Sequence, residues 1–404
     1  MDGPGGLPAT PACRRESDAG ESDHDPARYS PAVLLSPGAA VPGPGVARPS
    51  PRPSARLAAD RNRWTPMDLR RSANACGNRT IEGPAVKLWA ALLLLLCIAA
   101  AHLVLPIATL REAAGIDPGL AQLLLLELRM PRTLLAAGYG AVLGIAGAAL
   151  QAMFANPLAS PDISGASSGA ALGAVLGGYW LGLTQPLALA ASGAAGALLM
   201  LVLLIVLAGR RSDTATLLLA GLAISLAAGA ATSLALALAP SPFAFYDAFD
   251  WLMGSFVDRS ISQAGAALIP ASLAVLLLMR RSSALDQLAL GEDIAASLGI
   301  RPTALSREVI ALSAVAVGAC VSVAGAIGFV GLVAPYFGRQ VSRGYPGSAM
   351  VPAGVIGAAL LLLADLLVRA VPLDRSIPVG VVTALFGTPL FLWLVVTMRR
   401  RVAA

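Results

Sequence analysis

The chain has 404 residues, of which 56% are hydrophobic and only 13% are charged. Soluble globular domains carry about 25% charged residues, so this composition excludes an ordinary water-soluble protein. The formal net charge is +6, and nearly all of the basic residues are arginines, because Lys87 is the only lysine. The arginines stand at the ends of apolar runs, which argues against a nucleic-acid partner and is typical of a protein embedded in a lipid bilayer.

The N-terminal segment, residues 1–86, is rich in Pro, Gly, Ser, Ala and Arg and shows no apolar periodicity. Such a segment cannot bury enough apolar surface to offset its chain entropy, so we expect a disordered N-terminal extension. Met67 opens a short basic leader directly before the first apolar run, which predicts Met67 as an alternative start of translation. The remaining domain, 87–402, is predicted to lie in the membrane.

Apolar runs recur along this second domain, and about 20 residues of helix cross a bilayer. Helices are expected because lipid offers no partner for unpaired backbone groups. The predicted spans are 88–106, 132–153, 163–181, 187–208, 214–238, 263–279, 303–323, 349–370 and 379–397, with a shorter glycine-broken stretch at 325–338. The prediction is therefore an all-α, polytopic membrane protein with about ten transmembrane helices.

The arginines also predict the orientation of the chain. With ten spans and a cytoplasmic N-terminus, the segments assigned to the inside hold more basic residues than the outside ones, and residues 399–401 then lie inside. Because basic residues concentrate in cytoplasmic loops, we expect both termini to be cytoplasmic.

The longest inside connection, residues 280–302, contains more structure than a simple connector needs. Its leucines and Ile294 predict a short amphipathic helix that begins at Glu292 and Asp293 and stops at Gly299. On pattern alone, a helix lying on the membrane surface and a helix that docks on a partner are equally open.

Two motifs precede and follow the second span. In Arg129-Met130-Pro131-Arg132, the proline suits the first turn of a helix and the two arginines flank it at the membrane edge, where arginines usually just snorkel to water. The segment 156–162, Asn-Pro-Leu-Ala-Ser-Pro-Asp, then stops one helix and starts the next. Glycines at 165, 169, 173 and 177 predict a helix-packing surface, with a pore lining as the less favoured alternative.

Taken together, these motifs resemble the FecCD-like permeases of the ABC importers for iron-siderophore, haem and cobalamin. The resemblance covers about residues 88–400 in the right order. Besides the motifs above, it is carried by segments 217–221, 251–255, 288–299, 325–335, 361–365 and 377–384. Two positions depart from the family pattern, with Ser376 in place of a glutamate and Tyr336 in place of a histidine.

The resemblance implies an ATP-driven importer in a bacterial cytoplasmic membrane, in which this chain is the multi-pass permease. The expected partners are a second permease subunit, identical or related, two cytoplasmic ATPases and an extracytoplasmic binding protein. The family implies that the loop docks on the ATPase through Leu288, Leu290, Gly291, Glu292, Ala295, Leu298 and Gly299. It also implies that the binding protein docks on Arg129, Arg132 and Arg369. Ferric siderophore is the first expectation for the cargo, followed by haem and cobalamin.

No enzymatic activity is expected of the chain itself. A phosphate-binding P-loop needs Gly-Lys followed by Ser or Thr, and Lys87 stands between Val86 and Leu88. The residues predict no catalytic, metal or cofactor site, because histidine is scarce. Asp365, four residues before Arg369, predicts an ion pair within one helix, and His102 predicts a satisfied structural histidine. The alternative function is an ion-coupled secondary transporter, for which Asp365 is the one candidate ion site.

Overall fold

The computed structural model describes residues 84–209, 214–239, 246, 248–249, 251–342, 344–370 and 377–402. The alternative start at Met67 and all but the last three residues of the predicted extension 1–86 lie outside these ranges, and residues 84–86 belong to the first helix. Every regular element in the described ranges is helical, which confirms the all-α prediction.

The first half of the chain holds the helices α1 (Pro84–Val104), α2 (Ile107–Ile116), α3 (Pro118–Leu123), α4 (Met130–Met153), α5 (Ala166–Tyr179), α6 (Pro186–Ala208) and α7 (Thr214–Ala237). The second half holds α8 (Ile261–Met279), α9 (Ser282–Leu288), α10 (Glu292–Ser297), α11 (Pro302–Ala324), α12 (Val330–Val341), α13 (Met350–Ala370) and α14 (Val379–Val402). A π-helical turn, Leu124–Arg129, joins α3 to α4, and a 3-10 turn, Pro161–Ser164, precedes α5.

All ten apolar segments of the sequence form helices, but they differ in length. Among the described residues, six helices are long and apolar enough to cross a membrane, or seven if the bent pair of α1 and α2 is one span. The helices α5 and α12 have 14 and 12 residues, which is shorter than the roughly 20 that a bilayer requires. A polytopic membrane protein is therefore confirmed, and the exact number of spans stays a prediction.

Glycine allows the central helices to touch backbone to backbone. Helices α4 and α13 are antiparallel, and a Cβ atom added to Gly140 would lie 2.3 Å from the carbonyl oxygen of Gly357. A Cβ added to Gly144 would lie 2.1 Å from the carbonyl oxygen of Ala353. Small residues permit this close approach. In lipid, where burying apolar surface does not drive helices together, the resulting van der Waals packing stabilises the helix pair.

The predicted glycine stripe of α5 is also a packing surface. Added Cβ atoms at Gly169 and Gly173 would lie 2.7 Å and 2.3 Å from carbonyl oxygens of Gly196 and Ser192 on α6. The favoured interpretation of this stripe is confirmed.

The two ends of the bundle carry different features. Helix α4 begins, and the antiparallel α13 ends, at one end, where Arg129, Arg132 and Arg369 lie. We call this the arginine end. Gly347, which lies just before α13 begins, contacts Ser282 and Asp286, which lie just after α8 ends, so α8 delivers residues 280–301 to the end opposite the three arginines. We call that the coupling end.

Candidate docking and coupling sites

The segment at the coupling end contains two short helices with a tight turn between them. Helix α9 ends at Leu288, and α10 runs from Glu292 to Ser297. Gly291 has a φ angle of +112° and Gly299 of +87°, so both glycines adopt backbone conformations that other residues rarely tolerate. The helix predicted to begin at Glu292 and to stop at Gly299 is therefore present, and the glycines set its two boundaries.

The side chains of this segment divide into two groups. Leu288 and Ala295 are buried against the bundle and anchor the segment. Leu290, Ile294 and Leu298 are 60%, 50% and 57% exposed and follow one another at every fourth position. The segment thus presents an outward apolar face opposite an anchored one, an arrangement that suits either a helix on the membrane surface or a helix that docks on a partner.

The same segment is held by polar contacts with neighbouring connections. The Asp286 carboxylate accepts a hydrogen bond from the Gly347 backbone amide at 2.7 Å, and Arg281 forms an ion pair with Glu308 at 2.8 Å. These contacts tie α9 to the α12–α13 connection and to α11.

At the arginine end, two of the predicted docking residues bind the end of the first helix. The guanidinium of Arg129 donates hydrogen bonds to the carbonyl oxygens of Leu103, Val104 and Pro106 at 3.2, 2.7 and 2.9 Å. Arg369 donates to the carbonyl oxygens of His102 and Leu105. The last carbonyls of a helix have no partner within it, so the two arginines satisfy groups that would otherwise be orphaned where α1 bends into α2.

The third predicted docking residue, Arg132, belongs to a buried polar network. Its Nε and Nη2 atoms donate to the two carboxylate oxygens of Asp365 at 2.8 and 2.9 Å. His102 contacts the same carboxylate through Nε2 at 2.8 Å and the Thr133 hydroxyl through Nδ1 at 2.8 Å. Asp365 and His102 are fully buried, so this network fastens α1, α4 and α13 to one another.

These contacts correct one prediction and complete another. The ion pair expected between Asp365 and Arg369 on a single helix is wrong, because Asp365 pairs with Arg132 and Arg369 turns to the carbonyls of α1. His102 is the satisfied structural histidine that we expected. The sequence did not indicate that Arg132 on α4 and His102 on α1 share the Asp365 carboxylate, since they approach it from different helices.

Three of the sequence motifs meet near the arginine end. The Ser255 amide donates to the Ala324 carbonyl oxygen at 2.8 Å, and the Gly380 amide donates to the Gly254 carbonyl oxygen at 3.3 Å. A Cβ atom added to Gly325 would lie 2.1 Å from the carbonyl oxygen of Trp251. The segment 251–255 therefore lies between the segments that begin at 325 and 377. The backbones approach so closely there that Gly325 has no room for a side chain.

Tyr336, which replaces the histidine expected from the resemblance, packs against neighbouring aromatic rings. Its ring packs edge-to-face against Phe337 and Trp393, with centroids 5.4 and 6.5 Å apart. Ser376, the other departure, lies outside the described residues.

Comparison with known proteins identifies the chain's family. The model of the FecCD transport family matches residues 88–397, which include both ends of the bundle. The chain belongs to the FecCD transport family. This is a family of transport permeases rather than of enzymes, and the chain is accordingly an ABC-type permease embedded in a membrane.

Individual relatives agree with this placement. The vitamin B12 import system permease protein BtuC of Vibrio cholerae serotype O1 is 38% identical over 288 residues, covering 69% of this chain and 84% of that protein. BtuC of Escherichia coli O9:H4 is 36% identical over 283 residues, with coverages of 69% and 85%. A solved inward-facing transporter ascribed to the metal-chelate ABC type superposes with a TM-score of 0.69 and 30% identity, covering 77% of this chain and 98% of that one.

Proposed function

We propose that the chain is the membrane-spanning subunit of an ATP-driven importer of a metal chelate, located in a bacterial cytoplasmic membrane. The expected partners are a second permease subunit, two cytoplasmic ATPases and an extracytoplasmic binding protein. Cobalamin, haem and ferric siderophores are the members of this cargo class. Similarity to vitamin B12 permeases and to a metal-chelate transporter supports the class as a whole.

One structural observation carries the proposal. An apolar face of Leu290, Ile294 and Leu298 projects from the coupling end, while the opposite face of the same segment is buried. Exposed apolar patches of this kind mark interaction sites. A permease that does not hydrolyse ATP itself needs such a site to bind a separate ATPase. We therefore assign the outward face to the ATPase and the buried residues Leu288 and Ala295 to anchoring.

The arginine end supports the proposal that an extracytoplasmic binding protein docks on this permease. Among the described contacts, Arg132 pairs with Asp365, whereas Arg129 and Arg369 donate to neutral carbonyl oxygens, so those contacts leave the positive charge of these two arginines unneutralised. An acidic binding-protein surface would be attracted to this charge, mainly through faster association. Because Arg129, Arg132 and Arg369 also hold α1 in place, docking would use their charge without needing to release their hydrogen bonds.

A cargo panel tests this function. Proteoliposomes containing the permease, its ATPases and its binding protein would be offered radiolabelled cobalamin, haem and a ferric siderophore in separate assays. We expect ATP-dependent accumulation of one of these chelates. Vesicles that lack the binding protein serve as the control, and accumulation of none of the three would refute the metal-chelate assignment.

A further inference from the structure

A cavity of about 370 Å³ opens at the arginine end, beside the segment 251–255. It lies between the end of α5, the start of α6 and the segment that precedes α8. Its walls are mainly apolar and aromatic, with one cationic side chain among the described lining residues, and are formed by Ala174, Val175, Gly178, Tyr179, Leu183, Leu189, Ala248, Trp251 and Arg259.

The cation, Arg259, is incompletely satisfied. Its Nε atom is buried and has no hydrogen-bond partner within the described part of the chain. Burial lowers the pKa of the guanidinium below its ordinary value, and the neighbouring Asp258 opposes that shift. An arginine remains charged at neutral pH despite such a shift. A buried charged donor without an acceptor is uncommon, and among the described residues this N–H group is therefore open to an acceptor brought by a ligand.

The backbone around Arg259 is fixed. Asp258 adopts a positive φ angle of 55°, and Ser260 and Gln263 form a reciprocal capping box at the start of α8. The Gln263 amide donates to the Ser260 hydroxyl at 3.3 Å, and the Ser260 amide donates to the Gln263 side chain at 2.9 Å. Arg259 thus projects from a fixed stretch of backbone directly before α8, with its Nε atom buried.

We propose that this cavity binds a carboxylate group of the incoming chelate, with Arg259 as its anion-binding residue. The planar guanidinium matches the two oxygens of a carboxylate, and the rings of Tyr179 and Trp251 offer apolar surface to the adjoining part of the ligand. The volume is at the small end for ligand sites of roughly 300–1,000 Å³, so it accommodates an arm of the chelate rather than the whole. The proposal rests on the proposed function and narrows its cargo to anionic chelates.

The test compares haemin, which carries two propionate carboxylates, with haemin dimethyl ester, in which both are masked. Each is titrated against the permease–ATPase complex in phosphatidylcholine nanodiscs, and binding is followed by quenching of tryptophan fluorescence. Arg259→Gln removes the charge, and Arg259→Lys keeps it. The exposed Arg111 on α2 supplies the matched control, Arg111→Gln.

We expect Arg259→Gln to weaken haemin binding about tenfold, the value of one charge-assisted hydrogen bond, and to leave ester binding unchanged. Arg259→Lys should weaken haemin less, and Arg111→Gln should have no effect. Three results would overturn the proposal: equal haemin binding by wild type and Arg259→Gln, an equal loss for the ester, or wild-type binding of haemin no tighter than of the ester.

A lipid phosphate has the same chemistry as the proposed ligand, so the titration is repeated in nanodiscs that contain phosphatidylglycerol. Persistence of the tenfold difference supports a chelate carboxylate, whereas its disappearance would assign the cavity to a lipid headgroup. Because these titrations need neither ATP nor transport, they are independent of the uptake assay. Unaltered haemin binding in an active importer would reject the cavity alone. Failed uptake with an intact carboxylate effect would reject the proposed function and leave Arg259 as a carboxylate-binding residue with no part in import.

Discussion

At the level of single residues, the arginines of the arginine end make hydrogen bonds that stabilise the fold, in addition to the docking proposed for them. Asp365 is fully buried, whereas the side chain of Arg132 is 16% exposed, and their two hydrogen bonds form a bidentate pair. Burying a carboxylate is tolerated only when donors surround it, and His102 supplies the third. Removal of Arg132 leaves the buried carboxylate with His102 alone, and removal of Asp365 leaves the Arg132 guanidinium without its carboxylate.

We therefore expect Arg132→Gln to reduce the free energy of unfolding by about 3–5 kcal/mol, the usual cost of breaking a buried pair. Asp365→Asn should be similarly destabilising, and the double variant should lose less than the sum of the two. Chemical unfolding in detergent measures all three. Glu308→Gln, which breaks the exposed pair with Arg281, is the control and should cost about 0–1 kcal/mol. Additive effects of Arg132→Gln and Asp365→Asn would show that the pair is not coupled.

Arg129 allows the structural and docking roles to be separated. A lysine keeps the positive charge but lacks the fork that reaches three carbonyl oxygens at once. Arg129→Lys should therefore lower the thermal midpoint while preserving the low-salt rate of binding-protein association. Arg129→Gln should lower both, with a rate difference that fades at high salt. Equal association rates for wild type and Arg129→Gln at low salt would argue against docking through this charge.

At the scale of helices, close approach of small residues decides which elements pair. The stripe of glycines on α5 was readable from the sequence because its spacing is regular. The contact of Gly140 on α4 with Gly357 on α13 was not, since nothing in a local pattern says which distant helix a glycine faces. The ends of α10 were predictable for the opposite reason, because an acidic start and a glycine stop are local signals.

The glycine contact between α4 and α13 gives a direct test. Valine at 140 would place its Cβ atom 2.3 Å from a backbone oxygen, so the two helices would have to separate. We expect Gly140→Val to lower the thermal midpoint sharply and to reduce the yield of folded protein. Gly265→Ala on α8 is the control, because its Cβ atom would make an ordinary contact at 3.8 Å with Ile269. A midpoint unchanged by Gly140→Val would mean that this contact does not determine the packing.

For the coupling segment we predict an effect on binding rather than on stability, because the side chains of its outward face are exposed and do not pack in the bundle. Leu290→Ser combined with Leu298→Ser should leave the thermal midpoint unchanged, since both side chains are exposed. The same pair should reduce co-purification of the ATPase. Leu288→Ser is the counterpart: Leu288 is buried, so we expect a lower midpoint. Full ATPase retention by the Leu290→Ser/Leu298→Ser variant would remove the outward face from the docking surface.

At the scale of the whole molecule, the sequence predicts the class of fold well and its internal contacts poorly. Hydropathy and arginine placement identify a polytopic helical protein, and all ten apolar segments are helical. The short α12 agrees with the glycine-broken stretch predicted at 325–338, whereas the length of α5 did not follow from hydropathy, because a 3-10 turn takes up the start of the predicted span. The partners of Arg132 and Arg369 did not follow either, because His102, Arg132 and Asp365 are joined only by the tertiary fold.

The division of the bundle into an arginine end and a coupling end gives the molecule its proposed role. One end carries the unneutralised charges of Arg129 and Arg369 and the Arg259 cavity, and the other carries an outward apolar helix. In the proposed function, energy enters at the coupling end from a separate ATPase. A secondary transporter, the alternative suggested by Asp365, would need no such partner, and its acidic residue is already committed to Arg132 and His102.

The energy source of uptake tests this claim most directly. Initial rates of chelate uptake would be measured in proteoliposomes of the complete complex, with ATP on the cytoplasmic side, without ATP, and with an imposed proton or sodium gradient alone. We predict uptake only with ATP, and none when the permease is reconstituted without its ATPase. Gradient-driven uptake by the permease alone, at a rate matching that of the complete complex, would contradict the account.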